Sequence, residues 1–240
     1  MRFLYALYRY FFYFPMFLVL FLVNSTLTII AALVVGRARA QFIYRLFSRY
    51  LVFAAGARLE ISGLEHLEKG RSYVIVSNHR SNMDPIILWA ALPVTFLWIM
   101  KIELIRIPVF GFMMKLLGFI GIDRRNSQEA IKSINQAKAR LVNGTCITFF
   151  PEGTRHTAPG IGMFKKGAFQ FALDSGLPIL PVSISGSERI LPPHSLKLSY
   201  GKVKIVIHPT IPTAGLERTE MSALIEKTQR TVESGYDSSW

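Results

Sequence analysis

Apolar and polar positions along this chain change period several times, and each change marks an element. No charged residue lies between Arg9 and Arg37, a run of about 27 residues where ~20 suffice for a helix to cross a bilayer. It is too long for the apolar core of a cleaved leader, and Arg39 inside Ala38-Arg39-Ala40 argues against processing there. Pro15 and the polar Asn24-Ser25-Thr26 interrupt the run. It therefore reads either as one span or as two shorter pieces forming a re-entrant hairpin or interfacial helices. Next, Phe42, Ile43, Leu46, Phe47, Tyr50 and Leu51 recur at helical spacing, with Arg45 and Arg49 on another face. That pattern suits a helix lying in an anionic interface, or a core helix with solvated arginines.

Beyond this point, short apolar runs alternate with helical patterns. Strands are predicted at Leu59–Ser62, Tyr73–Ser77, Thr95–Met100, Phe119–Asp123, Cys146–Phe150, Ile179–Ile184 and Lys202–His208. Helices are predicted from about Ser127 to Val142, Lys165 to Asp174 and Glu217 to Ser234, the first closed by Asn143-Gly144 and the second by Gly176. Strands interleaved with helices predict an α/β fold, a central mostly parallel or mixed sheet flanked by helices, with an N-terminal hydrophobic helical membrane segment. The expected division is residues 1–57 for the membrane-associated segment and residues 58–240 for the α/β domain.

Composition narrows the class of partner. The chain is 51% hydrophobic and carries 28 basic against 15 acidic residues, a net charge of +13. Such a balance points to nucleic acid, anionic membrane or anionic substrates, and the apolar run has no use in a nucleic-acid binder. Before Glu60 there are seven arginines and no acidic residue, so the positive-inside tendency puts the downstream domain on the cytoplasmic face. The single Cys146 excludes an intramolecular disulfide and a multi-cysteine zinc site. His66, His79, His156, His194 and His208 show no metal-ligand spacing, so no metal is predicted.

Candidate chemistry gathers where strands end. Asn78-His79-Arg80-Ser81-Asn82-Met83-Asp84 follows the second strand, and Asp84-Pro85 opens a helix with Asp84 as its N-cap and Pro85 at the first helical position. A carboxylate there can hold one imidazole nitrogen and leave the other to take a proton; the alternative is a capping aspartate beside a structural histidine. A second cluster is Phe149-Phe150-Pro151-Glu152-Gly153-Thr154-Arg155. Gly153 permits close backbone approach and Arg155 offers a fork matched to phosphate, unless Glu152 and Arg155 merely pair. Arg124 and Arg125 follow a further strand, and Lys101 another. Leu177 to Gly186, bracketed by prolines, reads as structural or as the wall of an acyl channel.

Four blocks in order, Asn-His-x-Ser-x-x-Asp, Gly-x-x-x-Ile-Asp-Arg, Phe-Pro-Glu-Gly-Thr-Arg and Leu-Pro-Ile-x-Pro-Val, span about residues 73 to 186 and resemble the glycerolipid acyltransferases, most closely the lysophosphatidic acid branch. The resemblance implies transfer of a fatty acyl group from acyl-CoA or acyl carrier protein to the sn-2 hydroxyl of lysophosphatidic acid, with no cofactor and no acyl-enzyme. It implies His79 as general base oriented by Asp84. Glu152, Gly153, Thr154 and Arg155 would hold the acceptor with Arg124 and Lys101, and backbone N–H groups near Gly153 are candidate oxyanion donors. The alternatives are another lysophospholipid or glycerol 3-phosphate as acceptor, or a catalytically silent lipid-binding membrane protein.

Overall fold

The structure, a computed structural model, describes residues 7–122, 138, 141, 144–155, 160–195 and 197–240, without the side chains of Arg9 and Lys101. Apart from Lys138 and Leu141, the helix predicted from Ser127 to Val142 lies outside the described residues, as does the site residue Arg124.

A single helix, α1 (Phe14–Val34), fills most of the apolar run. Pro15 is the second residue of α1, which continues without a break from a π-helical turn over Arg9–Tyr13. The polar interruption does not divide α1; Asn24, Ser25 and Thr28 form its buried face, while Leu18, Val19, Leu22, Val23, Leu27 and Ile30 are exposed. Polar inward and apolar outward is the reverse of a water-facing helix, and fits a helix whose surroundings are lipid.

Helix α2 (Arg37–Ala54) returns antiparallel to α1: the Tyr8 hydroxyl bonds the carbonyl of Ala54, and that of Tyr50 reaches Met16 Sδ. Its polar side chains fasten it along the domain. Arg37 donates to Leu116 O, Arg45 to Val94 O and Arg49 to Ala90 O, while Gln41 both donates to and accepts from the backbone of Phe96. Arg45 is half-buried, whereas Arg49 stays exposed even as it bonds the domain. Their guanidinium groups take backbone carbonyls that the last turn of the next helix and its connection leave unpaired.

The sheet contains β1 (Ala57–Ser62), β2 (Val74–Ser77), β3 (Thr95–Lys101), β4 (Ile120–Ile122), β5 (Thr145–Phe149), β6 (Ile179–Ser185) and β7 (Gly201–Ile207). Its order is β1-β7-β6-β2-β5-β3-β4. All neighbours are parallel except β6 and β7, so the sheet is mixed. Helices α1, α2, α3 (Asp84–Ala91), α4 (Ile102–Ile105) and α5 (Phe110–Leu117) precede β5; α6 (Gly167–Ser175), the short α7 (Ser187–Ile190) and α8 (Met221–Gly235) follow it. One core cluster joins the first group to the sheet through Ile87, Trp89, Phe96 and Leu117. A second joins α6 and α8 to the opposite face through Phe169, Phe171, Leu224 and Val232.

Candidate active site

Strands β2 and β5 lie side by side and parallel, with Val76 opposite Phe149. Their carboxyl ends therefore deliver His79 and Phe150 to the same place, as open α/β sheets bring ligand groups together. The imidazole stacks on the Phe150 ring at 4.0 Å between centroids and 13° between planes. Behind Phe150 stands Trp98 of β3, at 5.1 Å.

His79 Nδ1 is 2.7 Å from Asp84 Oδ2, and that same oxygen accepts the backbone N–H groups of Arg80 and Ser81, each at 2.7 Å. Asp84 is fully buried. It is the first residue of α3 rather than its cap, and its carboxylate reaches back into the preceding loop instead of forward to the helix. Each charge-assisted hydrogen bond of this kind contributes ~1.5–3 kcal/mol. With Nδ1–H assigned to Asp84 by this contact, Nε2 keeps its lone pair toward the cavity; the His79 side chain is 16% exposed.

Three other polar side chains of the loop, Asn78, Arg80 and Ser81, are also bonded. Asn78 donates to Ile184 O and accepts from Ile184 N, both at 2.8 Å, and so continues the β2–β6 ladder with a side chain. Ser81 Oγ donates to Leu191 O at 2.7 Å and accepts from Met83 N. Arg80 points away from His79 to Glu188, over the ring of Tyr236, whose hydroxyl also bonds Glu188. Burial and the Glu188 carboxylate push the Tyr236 phenol up to about 12, so it stays a donor.

A cavity of about 490 Å³ opens beside His79. Pro85, Ile86 and Trp89 of α3, together with Leu104, Phe110 and Met114, give it an apolar side; Thr154, Arg155 and His194 give it a polar one. Arg155 is half-buried there and has no hydrogen bond or ion pair among the described residues. A guanidinium left unpaired in a cavity wall is a ready anion site.

The family model for Acyltransferase matches residues 58–185. Across 191 residues the chain is 30% identical to 1-acyl-sn-glycerol-3-phosphate acyltransferase alpha of Bos taurus, covering 79% of this chain and 67% of that protein. The chain belongs to the acyltransferase family. It is also 38% identical over 156 residues to a probable 1-acyl-sn-glycerol-3-phosphate acyltransferase of Mycoplasma pneumoniae, covering 62% of this chain and 57% of that one. In fold it is similar to the crystal structure of the 1-acyl-sn-glycerophosphate (LPA) acyltransferase from Thermotoga maritima, with a TM-score of 0.81 over 98% of this chain and 96% of that one, at 24% identity.

Within this acyltransferase, the sequence-predicted residues take different places. His79, Gly153, Thr154 and Arg155 meet at the cavity, with Asp84 directly behind. Glu152 does not line it. That carboxylate is buried, accepting the N–H of His79 at 2.6 Å and of Gly162 at 2.7 Å. It therefore clamps the histidine loop to the segment after the turn and forms no pair with Arg155. The N–H of Gly153 is committed to Phe150 O at 3.1 Å, which removes it as a free oxyanion donor. Gly153 adopts a φ of 76°, and a Cβ there would meet Lys165 Nζ at 2.8 Å. Residues 177 to 186 do not wall the cavity: β6 is buried throughout as a structural strand. The side chain of Lys101 and all of Arg124 fall outside the described residues.

Sequence reasoning missed Trp98, and it gave no part of their own to Phe150 and Asn78, which stood inside the motifs it singled out. The hydrophobic Phe149-Phe150 pair was its one usable signal: in a strand with alternating faces, the second phenylalanine had to emerge beside whatever ended the neighbouring strand.

Proposed function

We propose that this protein transfers a fatty acyl group from an acyl thioester to the sn-2 hydroxyl of lysophosphatidic acid, forming phosphatidic acid. The observation that carries the reading is one cavity presenting His79, oriented by buried Asp84, beside Arg155, which has no ion pair among the described residues. The names of the similar proteins support the acceptor.

His79 Nε2 removes the hydroxyl proton as the acceptor oxygen attacks the thioester carbonyl. The tetrahedral intermediate expels the thiolate, which takes that proton back from the imidazolium, so His79 ends neutral. Asp84 is a positioning residue; it holds the ring and stabilises the transient positive charge. Positioned proton transfer is worth ~10²–10⁴ in rate. A thioester arrives activated, so orientation supplies much of the rest and no cofactor is needed. Arg155 binds the phosphomonoester, with Lys101 and Arg124 adding charge. Stacking on Phe150 fixes the plane of the imidazole.

Acceptor and product are both anionic lipids, in keeping with a membrane protein. The layered arrangement bears on how it meets the bilayer. Since α2 is fastened along the domain and α1 runs beside it, α1 lies against the domain rather than projecting from it. Its exposed apolar face enters one leaflet, and the arginines at its C-terminal side keep the domain on the cytoplasmic face.

The test is conversion of lysophosphatidic acid and a labelled acyl thioester to phosphatidic acid in detergent micelles, run with acyl-CoA and with acyl carrier protein. Product that depends on the acceptor is expected with one of these donors. Transfer only to acceptors with a phosphodiester headgroup, or thiol release that is indifferent to acceptor, would overturn the assignment.

A further inference from the structure

Between β3 and β4 the chain makes two short helices joined by Arg106-Ile107-Pro108-Val109. This joint has three features that nothing in the catalytic chemistry requires. First, it is strained. Val109 has a φ of 61° and a ψ of −59°, and Phe110 N bonds Pro108 O at 2.6 Å. That is the γ-turn of the rarer hand, adopted by a β-branched residue that strongly disfavours it. Strain of this kind persists only where surrounding structure imposes it, and it collects at ligand clamps and switches. Here the surroundings are close: a Cβ on Gly111 would meet Ile105 O at 1.9 Å, so α4 and α5 are pressed together at that glycine.

Second, its outer surface is oily. Leu104, Ile107, Val109 and Phe112 are 39% to 54% exposed. A folded domain does not gain by presenting four such side chains with a proline to water. Third, the same segment is thin. Leu104, Phe110 and Met114 line the active-site cavity, so the outer apolar surface and the inner apolar wall are two sides of one layer.

The occupant of that outer surface follows from its neighbours. Helix α1 packs on α5, with the Phe21 and Phe110 rings tilted against each other at 5.8 Å between centroids, so the exposed face of α1 and the exposed tip of the joint form a continuous apolar surface. Arg106 and Lys115 border the tip, both exposed and without a hydrogen-bonding or ion-pair partner for their side chains among the described residues. Cations at the rim of an apolar surface suit phosphate headgroups around a hydrocarbon interior. A protein partner would have to cover α1 as well, which lipid already accounts for.

We propose that Leu104–Phe112 dips below the headgroups of an anionic bilayer beside α1 and forms the lipid-facing wall of the active-site cavity. The catalytic domain thus has its own membrane contact, and the strained γ-turn holds the tip outward. Depth of insertion is separable from the proposed acyl transfer, although the cavity's role as a lipid site rests on that reading.

The experiment uses the full chain with Ile107→Cys carrying an environment-sensitive fluorophore; Cys146, the only native cysteine, is buried. Lys227→Cys on α8, on the opposite face of the sheet, is the reference. Vesicles of phosphatidylcholine and phosphatidylglycerol carry nitroxide on their acyl chains. Emission from position 107 should shift to the blue and be quenched at least about twofold more than from position 227, as for a side chain a few ångströms below the headgroups. Equal emission and equal quenching at the two positions would overturn the proposal, whatever the enzymatic activity. A second variant, Ile107→Asp, changes a residue outside the cavity. It should lower turnover of vesicle-borne substrate roughly tenfold, the scale of one lost branched side chain, and leave turnover of a dispersed short-chain acceptor within about twofold. An equal loss in both assays, or none in vesicles, would contradict it.

Discussion

The active-site cavity has two walls built on opposite principles. From Asn78 to Asp84 the backbone is held by side-chain hydrogen bonds: Asn78 to β6, Ser81 to the segment after α7, Asp84 to two amides and the imidazole, and Glu152 to the amide of His79 itself. From Leu104 to Met114 the chain is held by packing, bends through a strained valine and leaves much apolar surface uncovered. On the proposed reading the polar wall keeps one nitrogen in place to within a fraction of an ångström, and directional bonds do that. On the same reading the apolar wall receives a flexible hydrocarbon, and non-directional contacts tolerate that.

The largest predicted effect breaks the rigid wall at its functional atom. His79→Ala should lower turnover by ~10²–10⁴ with little change in thermal stability, because the ring is partly exposed and Asp84 retains its two amide donors. Rates and melting curves for the purified variant check this; loss of fold along with activity would mean that the histidine is structural. Next comes a contrast within one motif. Glu152→Gln should reduce kcat about tenfold or more, the scale of a weakened charge-assisted bond, and leave the acceptor KM near its original value. Arg155→Ala should do the reverse, raising the acceptor KM about tenfold at nearly constant kcat. Steady-state kinetics with varied acceptor distinguish the two, and an acceptor KM effect at Glu152 would return that residue to the phosphate site.

The contrast between the walls also explains what could be read from the sequence. All seven strands were legible because runs such as Tyr73 to Ser77 and Leu177 to Gly186 are rich in branched and aromatic residues and bounded by turn formers. The meeting of His79, Thr154 and Arg155 at one cavity, with Asp84 behind, was legible because each lies in a short motif where a strand ends. Bonds to distant backbone were not. Glu152 shares a motif with Arg155 and looks like part of the same binding unit, yet its oxygens are claimed by amides 73 and 10 residues away. The bonds from Arg45 and Arg49 were hidden because nothing local says that the carbonyls of Val94 and Ala90 lie opposite. Likewise Asn24-Ser25-Thr26 looked like a break in a span, when Asn24 and Ser25 join Thr28 in the inward stripe of an unbroken helix.

The smallest effect lies away from both walls and serves as a reference for them. His208 packs beneath α8, its Nε2 2.7 Å from Ser183 Oγ, which also bonds Val232 O. Burial, with His66 nearby, holds its imidazole below the usual value of 6.5. The folded protein therefore resists a proton that the unfolded chain accepts. Stability from this group is fully present above pH 6.5, declines as pH falls toward the lower folded value, and levels off beneath it. His208→Gln should flatten that part of the stability profile, read as melting temperature against pH, without altering turnover at neutral pH. An unchanged profile would show that the decline arises elsewhere.

The most direct test of the central claim is release of thiol in a single turnover, followed with and without lysophosphatidic acid in the wild type and in His79→Ala. A base that acts on the acceptor hydroxyl, with no acyl-enzyme, predicts rapid thiol release only when wild-type protein and acceptor are both present. A burst of thiol from the wild type in the absence of acceptor, or unchanged release from His79→Ala, would contradict it.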